Sequence, residues 1–212
     1  MTDRALVRLY WPVALRPAFD ALFAIDDALA EVVRTTSEPA LGAIRLAWWR
    51  EALERLDTSP PPAEPRLQAV ASELLPRGIS GHHLAALEAG WTALLDEPPW
   101  DEAQVAVIAE RGRRLFAIAA RLLGASEQEL GEAGAAFAFA DAARHCNDRA
   151  SAELLVAAGR SLERRLFAKP LRPLTALAAL AFRDLKAFPA LEVEATPARA
   201  AILLRHRMTG RI

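Results

Sequence analysis

The stretch RPAFDALFAIDDALAEVV, from Arg16 to Val33, decides how the rest of the sequence is interpreted. Its apolar residues recur at spacings of three, four and seven, the repeat of an α-helix with one buried face. With the residue before it, this apolar set is Leu15, Phe19, Leu22, Phe23, Leu29, Ala30 and Val33. The pattern predicts a helix from about Pro12 to Arg34 that packs against other helices.

The remainder of the chain has the same helical character. Ala, Leu, Arg and Glu, all strong helix formers, dominate it, and no alternating apolar run persists. We predict further helices at about 37–56, 66–75, 80–95, 101–123, 127–148, 151–167, 173–187 and 197–208. Thr58 to Pro65 (TSPPPAEP) contains four prolines, which predicts a surface linker. The predicted fold class is all-α, a single helix bundle over residues 1–212.

Composition narrows the classes of function. Lys and Arg total 26 against 27 Asp and Glu, so no overall basic field exists to attract nucleic acid. The single cysteine, Cys146, suits a reducing compartment. The longest apolar stretch, Pro173 to Phe182, is too short to span a bilayer. We therefore expect a cytoplasmic protein with no transmembrane segment.

The C-terminal segment from Arg199 to Arg211 is basic and contains His206. Solvated charge is the default interpretation of such a segment. Contact with acidic lipid, which would place the protein at the periphery of the inner membrane, is the alternative.

Asp26 is the most unusual residue of the first helix, because it falls in the middle of the apolar stripe. A carboxylate buried there needs an arginine, a hydroxyl or a cation opposite. A structural ion pair is the preferred interpretation, and a functional site is the alternative. Asp20, Asp27 and Glu31 lie along one flank of the same helix. They could form an acidic edge with a function, and a solvated helix face explains them equally well.

A second set of polar residues lies in GAAFAFADAARHCND, from Gly134 to Asp148. Asp141, Arg144, His145 and Asp148 recur there at helical spacing and share one face. Asp141 and His145 could hold a metal, but a pair of ligands is a weak signal and a local salt bridge is favoured. The sequence lacks a Ser-His-Asp order, a phosphate-binding glycine loop, a dinucleotide fingerprint and a zinc spacing.

Three stretches resemble the squalene/phytoene synthase family. The first helix, with SEPALGAIRLAWWREAL from Ser37 to Leu53, looks like the family's opening pair, in which an ALxAF helix precedes an L…WWREAL helix. The helix ending at Asp148 is similar to the GxAxQLxNIxRDxxED segment, and LLRHRMTGRI, from Leu203 to Ile212, to the ending of short bacterial members. The WWREAL block is the most specific. The resemblance implies the type I isoprenoid synthase fold.

The resemblance also implies a reaction, in which active members join two prenyl diphosphates with Mg²⁺ held by aspartate-rich motifs on two facing helices. On our placement the first motif, DDxxD, falls at Ala30, Glu31 and Arg34, so one carboxylate remains. In the second motif, Arg144 matches the family's arginine, but His145 stands where aspartate is expected. Both motifs are therefore degenerate.

The preferred hypothesis is a catalytically inactive member without a cofactor, which binds a protein partner or an isoprenoid or other lipid chain. The sequence also resembles a branch of assembly factors for respiratory complex I, in the region LFAIDDALAEV…SEPALGAIRL. The rival hypothesis is an active Mg²⁺-dependent prenyltransferase of squalene or phytoene biosynthesis. A third is a helical scaffold whose pocket is filled by aromatic side chains.

The hypotheses share one set of candidate residues. In an active enzyme, the catalytic and metal-binding candidates are Asp26, Asp27, Glu31, Asp141, Arg144 and Asp148. The candidates for the substrate pocket are Phe19, Phe23, Arg45, Trp49, Arg50 and Phe137, with Trp48 and Trp49 forming an aromatic wall. Convergence of the carboxylates on one cavity would favour the enzyme, and pairing with arginines would favour the inactive protein.

Overall fold

The computed structural model describes residues 2–126 and 130–212, and within them it contains eleven α-helices and no β-strand. They are α1 (Asp3–Arg8), α2 (Arg16–Thr35), α3 (Pro39–Arg55), α4 (Pro65–Glu73), α5 (Gly81–Ala85), α6 (Glu88–Thr92), α7 (Glu102–Leu122), α8 (Gly131–His145), α9 (Arg149–Ser161), α10 (Arg172–Ala187) and α11 (Pro197–Thr209). The all-α prediction is confirmed. No helix in this described part of the chain is long and apolar enough to cross a bilayer.

Several helix boundaries differ from the predictions. The first predicted helix begins at Arg16, because a 3-10 turn occupies Val13–Leu15, and α1 was not predicted at all. The predicted helix at 80–95 is divided into α5, α6 and a 3-10 turn, since three-residue hydrogen bonds such as Leu87 N to Leu84 O tighten the backbone there. Residues 127–129 of another predicted helix lie outside the described residues.

The proline-rich segment has no helix between Thr58 and Glu64, and α4 begins at Pro65. Proline is suited to the first position of a helix because its missing N–H would have no partner there. The Glu64 side chain accepts a hydrogen bond from the backbone N–H of Leu67 and caps α4. The prolines thus separate α3 from α4 and fix where α4 starts.

The apolar interior has two parts. The larger part surrounds the apolar stripe of α2, including Phe19, Leu22 and Leu29, each at most 1% exposed. The smaller part is rich in alanine and lies between α7, α8, α9 and α10. The small side chains allow these helices to approach closely, which brings polar residues of α7 and α8 near α2.

The closest approach is between α7 and α8, at Gly112 and Gly134. A Cβ atom built on Gly112 would lie 2.0 Å from the carbonyl oxygen of Gly134, and one on Gly134 would lie 2.3 Å from that of Gly112. Neither position therefore accepts a side chain. This crossing fixes Arg111, next to Gly112, against the face of α8 that carries Asp141.

The C-terminal helix corrects the expectation of solvated charge for Arg199 and His206, whereas Arg205, Arg207 and Arg211 are exposed as expected. Arg199 and His206 are buried, at 2% and 1% exposure. The Nδ1–H of His206 donates to the carbonyl of Arg211, and its Nε2 lies 2.9 Å from the hydroxyl oxygen of Thr175. Burial lowers the pKa of His206, which keeps the ring neutral. The buried face of α11 thus carries two polar side chains beside Leu203, and each of the two is paired inside the protein.

Candidate functional site

The central feature of the site is Arg111, whose side chain lies between two aspartates from facing helices. Its Nη2 donates to Oδ2 of Asp141 on α8 at 3.0 Å, and its Nη1 lies 3.6 Å from Oδ1 of Asp26 on α2. The arginine side chain is 1% exposed and that of Asp26 6%. One guanidinium therefore bridges the two predicted carboxylate helices inside the protein.

Trp91, on α6, completes the surroundings of this ion pair. Its indole Nε1–H donates to Oδ1 of Asp26 at 2.9 Å. The guanidinium carbon of Arg111 lies over its ring, 3.9 Å from the ring centroid, in a cation–π contact. Asp26 thus has both a hydrogen-bond donor and a positive charge, as its position in the apolar stripe required.

The pKa values of the two aspartates are shifted in opposite directions. Burial raises the pKa of Asp26, and the charge of Arg111 only partly opposes this effect. Burial acts in the same direction on Asp141, but its contact with His145 and the charge of Arg111 outweigh it and hold its pKa below the usual range. The contact with Asp141 in turn raises the pKa of His145. Asp141, Arg111 and His145 therefore form a charged group at the edge of the interior.

The donor set does not fit a magnesium site. Mg²⁺ requires several oxygen ligands, including carboxylates free to face it. The guanidinium of Arg111 stands between Asp26 and Asp141 instead, with its Nε and Nη1 buried and without a hydrogen-bond partner. Over the described residues, no group of three or more Asp, Glu, His or Cys side chains converges as a metal site would require.

The remaining candidate carboxylates point to other partners. Those of α2 form ion pairs at the surface, namely Asp20 with Arg8, Asp27 with Arg4 and Glu31 with Arg66. Asp148 caps α9 by accepting a hydrogen bond from the backbone N–H of Ser151 at 2.7 Å. Of the six candidates, only Asp26 and Asp141 share an ion-pair partner, Arg111. Asp148 lines the same pocket as Asp141 but pairs with the backbone of α9. The rival hypothesis had placed all of these carboxylates around one cavity.

Arg144 belongs to a different buried network, which the sequence analysis did not predict. Arg199, on α11, contacts Asp3 of α1 at 2.6 Å and Asp184 of α10 at 2.5 Å. Arg144 donates to the same carboxylate of Asp184 at 2.8 Å. Burial lowers the pKa of Arg199, but the two carboxylates outweigh it and raise the pKa. This network joins four helices and has a structural role.

The predicted pocket residues lie away from the Arg111 ion pairs, except Phe137, which lines a small pocket with Asp141 and Arg144. Phe19, Phe23 and Phe137 pack on one another in the interior, with ring centroids 4.6 and 6.4 Å apart. Trp49 is buried under the guanidinium of Arg66. Arg45 is exposed and donates to the hydroxyl of Thr36 at 2.7 Å, and Arg50 is half-buried. The aromatic residues therefore fill the interior, as the scaffold hypothesis expects of them.

An apolar pocket of about 510 Å³ opens beside the Arg111 ion pairs, lined by residues that the sequence analysis mostly did not select. Its apolar walls include Val33, Trp91, Leu94, Trp100 and Ala142. Its polar edge includes Arg34, Asp96, Asp141, His145, Cys146 and Asp148. An apolar cavity with a few polar groups at one edge is suited to an amphiphilic ligand.

Arg111 and Trp91 were missed, although one signal was present for the arginine. Arg111 occupies the apolar stripe of α7 with Ile108 and Leu115, three and four residues away, as Asp26 does in α2. Two buried charges of opposite sign on two stripes indicate an ion pair. No comparable pattern marks Trp91, because α6 is only five residues long.

Comparison with known proteins supports the family resemblance. The family model described as squalene/phytoene synthase matches residues 2–106, about half of the chain. This range contains α2 and α3, whereas Arg111 and Asp141 lie beyond it. No curated protein and no solved structure matches the chain. The match agrees with the all-α fold described above.

Proposed function

We propose that the chain, whose residues 2–106 match the squalene/phytoene synthase family model, is a non-catalytic member of that family that acts as a binding or assembly factor, with its apolar pocket open to an isoprenoid or other lipid chain. The observation that carries this proposal is the guanidinium of Arg111 between Asp26 and Asp141. A prenyltransferase needs divalent cations between its two carboxylate helices to neutralise the departing diphosphate. The guanidinium of Arg111 supplies positive charge, but unlike a metal ion it has no coordination positions that diphosphate oxygens could occupy.

The surroundings of the ion pair support the same conclusion. Trp91 covers Arg111 and donates a hydrogen bond to Asp26. Rotation of Asp26 away from Arg111 would break that buried hydrogen bond, and rotation of Arg111 away from Asp26 would break the cation–π contact. Asp27, Glu31 and Asp148 are already engaged with Arg4, Arg66 and the start of α9. We propose that the protein requires no metal cofactor. The single cysteine supports a cytoplasmic location.

Release of diphosphate tests the non-catalytic proposal. We expect farnesyl and geranylgeranyl diphosphate to release no diphosphate above the protein-free rate, with or without Mg²⁺. Asp26→Ala and Asp141→Ala should likewise release no diphosphate, and Asp20→Ala, which alters an exposed α2 carboxylate outside the six candidates, is the matched control. Mg²⁺-dependent release that is lost in the first two variants and kept in the third would establish the prenyltransferase instead.

Protection of Cys146 tests ligand binding in the pocket. This residue is the chain's single cysteine and lines both this pocket and a neighbouring one that Arg149 also lines, so a thiol reagent reports on ligands in either. If farnesol binds there, the reaction should slow roughly tenfold at ten times the dissociation constant, because only the free protein reacts. The control is Cys146→Ala with Arg149→Cys, which moves the thiol to an exposed residue outside the pocket. If the rate of the thiol reaction is unchanged at saturating farnesol, farnesol does not bind in the pocket.

A further inference from the structure

Three segments of the chain concentrate positive charge. Residues 9–16, 166–173 and 201–212 contain six Lys or Arg residues and no Asp or Glu, although acidic residues slightly outnumber basic ones in the whole chain. The six are Arg16, Lys169, Arg172, Arg205, Arg207 and Arg211. We refer to the surface of these three segments as the basic face.

Side-chain contacts bring the three segments together. Arg207 lies over the ring of Tyr10, 4.8 Å from its centroid. Nη1 of Arg172 donates to the carbonyls of residues 207 and 208 at 3.1 and 2.8 Å. Nε1 of Trp11 donates to the carbonyl of Pro173 at 3.2 Å. The basic face is therefore one continuous region, in which the end of α1, the start of α10 and the second half of α11 meet.

The charges of the basic face are not neutralised within the protein. No described carboxylate lies within 4.0 Å of the nitrogen atoms of the six cations. Nearby arginines behave differently, since Arg4 and Arg8 of α1 each hold an aspartate of α2. The face thus keeps a local positive potential in a protein whose net charge is -1.

Large apolar side chains protrude among these charges. Of the ten large apolar residues that are exposed in the described part of the chain, five lie on the basic face. They are Leu9, Val13, Leu166, Leu204 and Met208. Leu204 and Met208 are four residues apart on the outer side of α11, opposite the buried Leu203 and His206. Val13 and Met208 are 74% and 66% exposed.

We propose that the basic face docks on the surface of an anionic lipid bilayer. Apolar side chains enter the boundary between headgroups and acyl chains, while arginines keep their charged ends among the lipid phosphates. The apolar residues belong to three separate segments and do not form one continuous helical stripe. A fluid bilayer accommodates such dispersed side chains without a matching groove, whereas an acidic protein would need one.

Vesicle flotation with the full-length protein tests this proposal. We expect it to float with vesicles of phosphatidylcholine containing 30% phosphatidylglycerol at about 0.1 M salt, where charges interact across roughly 10 Å. It should not float with pure phosphatidylcholine. Arg205→Gln with Arg211→Gln should reduce the partition coefficient roughly 25-fold, about fivefold per charge. Leu204→Ser with Met208→Ser should reduce it about tenfold.

Matched variants on other surfaces separate specific docking from general attraction. Arg55→Gln with Arg149→Gln makes the same change in net charge on α3 and α9, and Leu41→Ser with Ile44→Ser removes exposed apolar residues from α3. Both pairs should leave the partition coefficient unchanged. Failure of the wild type to float, equal losses in the control pairs, or binding to polyglutamate without binding to vesicles would each overturn the proposal. None of these results would alter diphosphate release or protection of Cys146.

Discussion

Replacing Arg111 with methionine is expected to lower the free energy of unfolding by about 3–5 kcal/mol at pH 7, because it leaves the buried carboxylate of Asp26 without its ion-pair partner. Methionine keeps much of the side chain's length over Trp91, so loss of packing contributes little. Urea denaturation of the variant and the wild type measures the difference. Arg114→Met, one turn further along α7 on an exposed side chain, is the control and should change the value by less than about 1 kcal/mol.

The loss caused by Arg111→Met should shrink as the pH falls. Burial raises the pKa of Asp26 in the wild type, and removal of Arg111 takes away the charge that opposes this rise. Between the unfolded pKa of about 3.9 and the raised folded pKa, the folded variant holds more protons than the unfolded chain. Its stability relative to the wild type is therefore greatest below that window and declines as the pH rises through it. A difference in the free energy of unfolding between Arg111→Met and the wild type that stays constant from pH 4 to 7 would contradict this account.

Removal of the whole ion cluster distinguishes a structural role from a functional one. The triple change of Asp26→Leu, Arg111→Met and Asp141→Leu eliminates the buried charges together, and such replacements are often neutral or stabilising. We therefore expect it to recover much of the stability lost in Arg111→Met alone. Retained binding of farnesol by the triple variant would show that the pocket does not need the charges. Failure to recover stability would mean that packing around Trp91 depends on the ion pairs.

The helical content of the fold was predictable because the apolar residues follow the α-helical repeat over most of the chain. The buried position of Asp26, and its need for a positive partner, also followed from that repeat. The identity of the partner did not, since Arg111 lies 85 residues away and the pairing depends on the approach of α7 to α8 at Gly112 and Gly134. Spacing within one helix carries no information about contacts between helices.

The pocket was less predictable for a related reason. Its walls come from α2, from α8 and from the 91–100 segment, and the sequence indicated residues 91–95 of that segment as the end of one continuous helix. The break after α5 and the turn beyond α6 direct Trp91 and Trp100 toward α8, and no apolar period marks such a change of direction. Conversely, Phe19, Phe23 and Phe137 were selected as pocket residues because they are aromatic, although aromatic residues more often fill interiors.

The short α1 shows how a buried charge can position an element that has little stability of its own. A helix of six residues is too short to be stable in isolation, so α1 depends on its contacts. Asp3 accepts hydrogen bonds from Arg199 and from the backbone N–H of Ala195, and Arg4 binds Asp27 of α2. The tenth residue, Tyr10, then lies under Arg207 on the basic face. Docking of α1 therefore links the interior network to the surface that we propose for the membrane.

Replacing Arg199 with methionine is accordingly expected to lower the free energy of unfolding by about 3 kcal/mol, the lower end of the range for a broken buried ion pair. Asp184 keeps Arg144 as a partner, whereas Asp3 loses its charged partner. Hydrogen exchange should show α1 losing protection before the other helices, because its remaining contacts are few. The free energy of unfolding of Arg199→Lys should lie between those of the wild type and Arg199→Met. Lysine keeps the charge but cannot donate to Asp3 and Asp184 in the same geometry. Arg205→Met, on the exposed side of α11, is the control. A small loss spread evenly over all helices would show that Arg199 does not anchor α1.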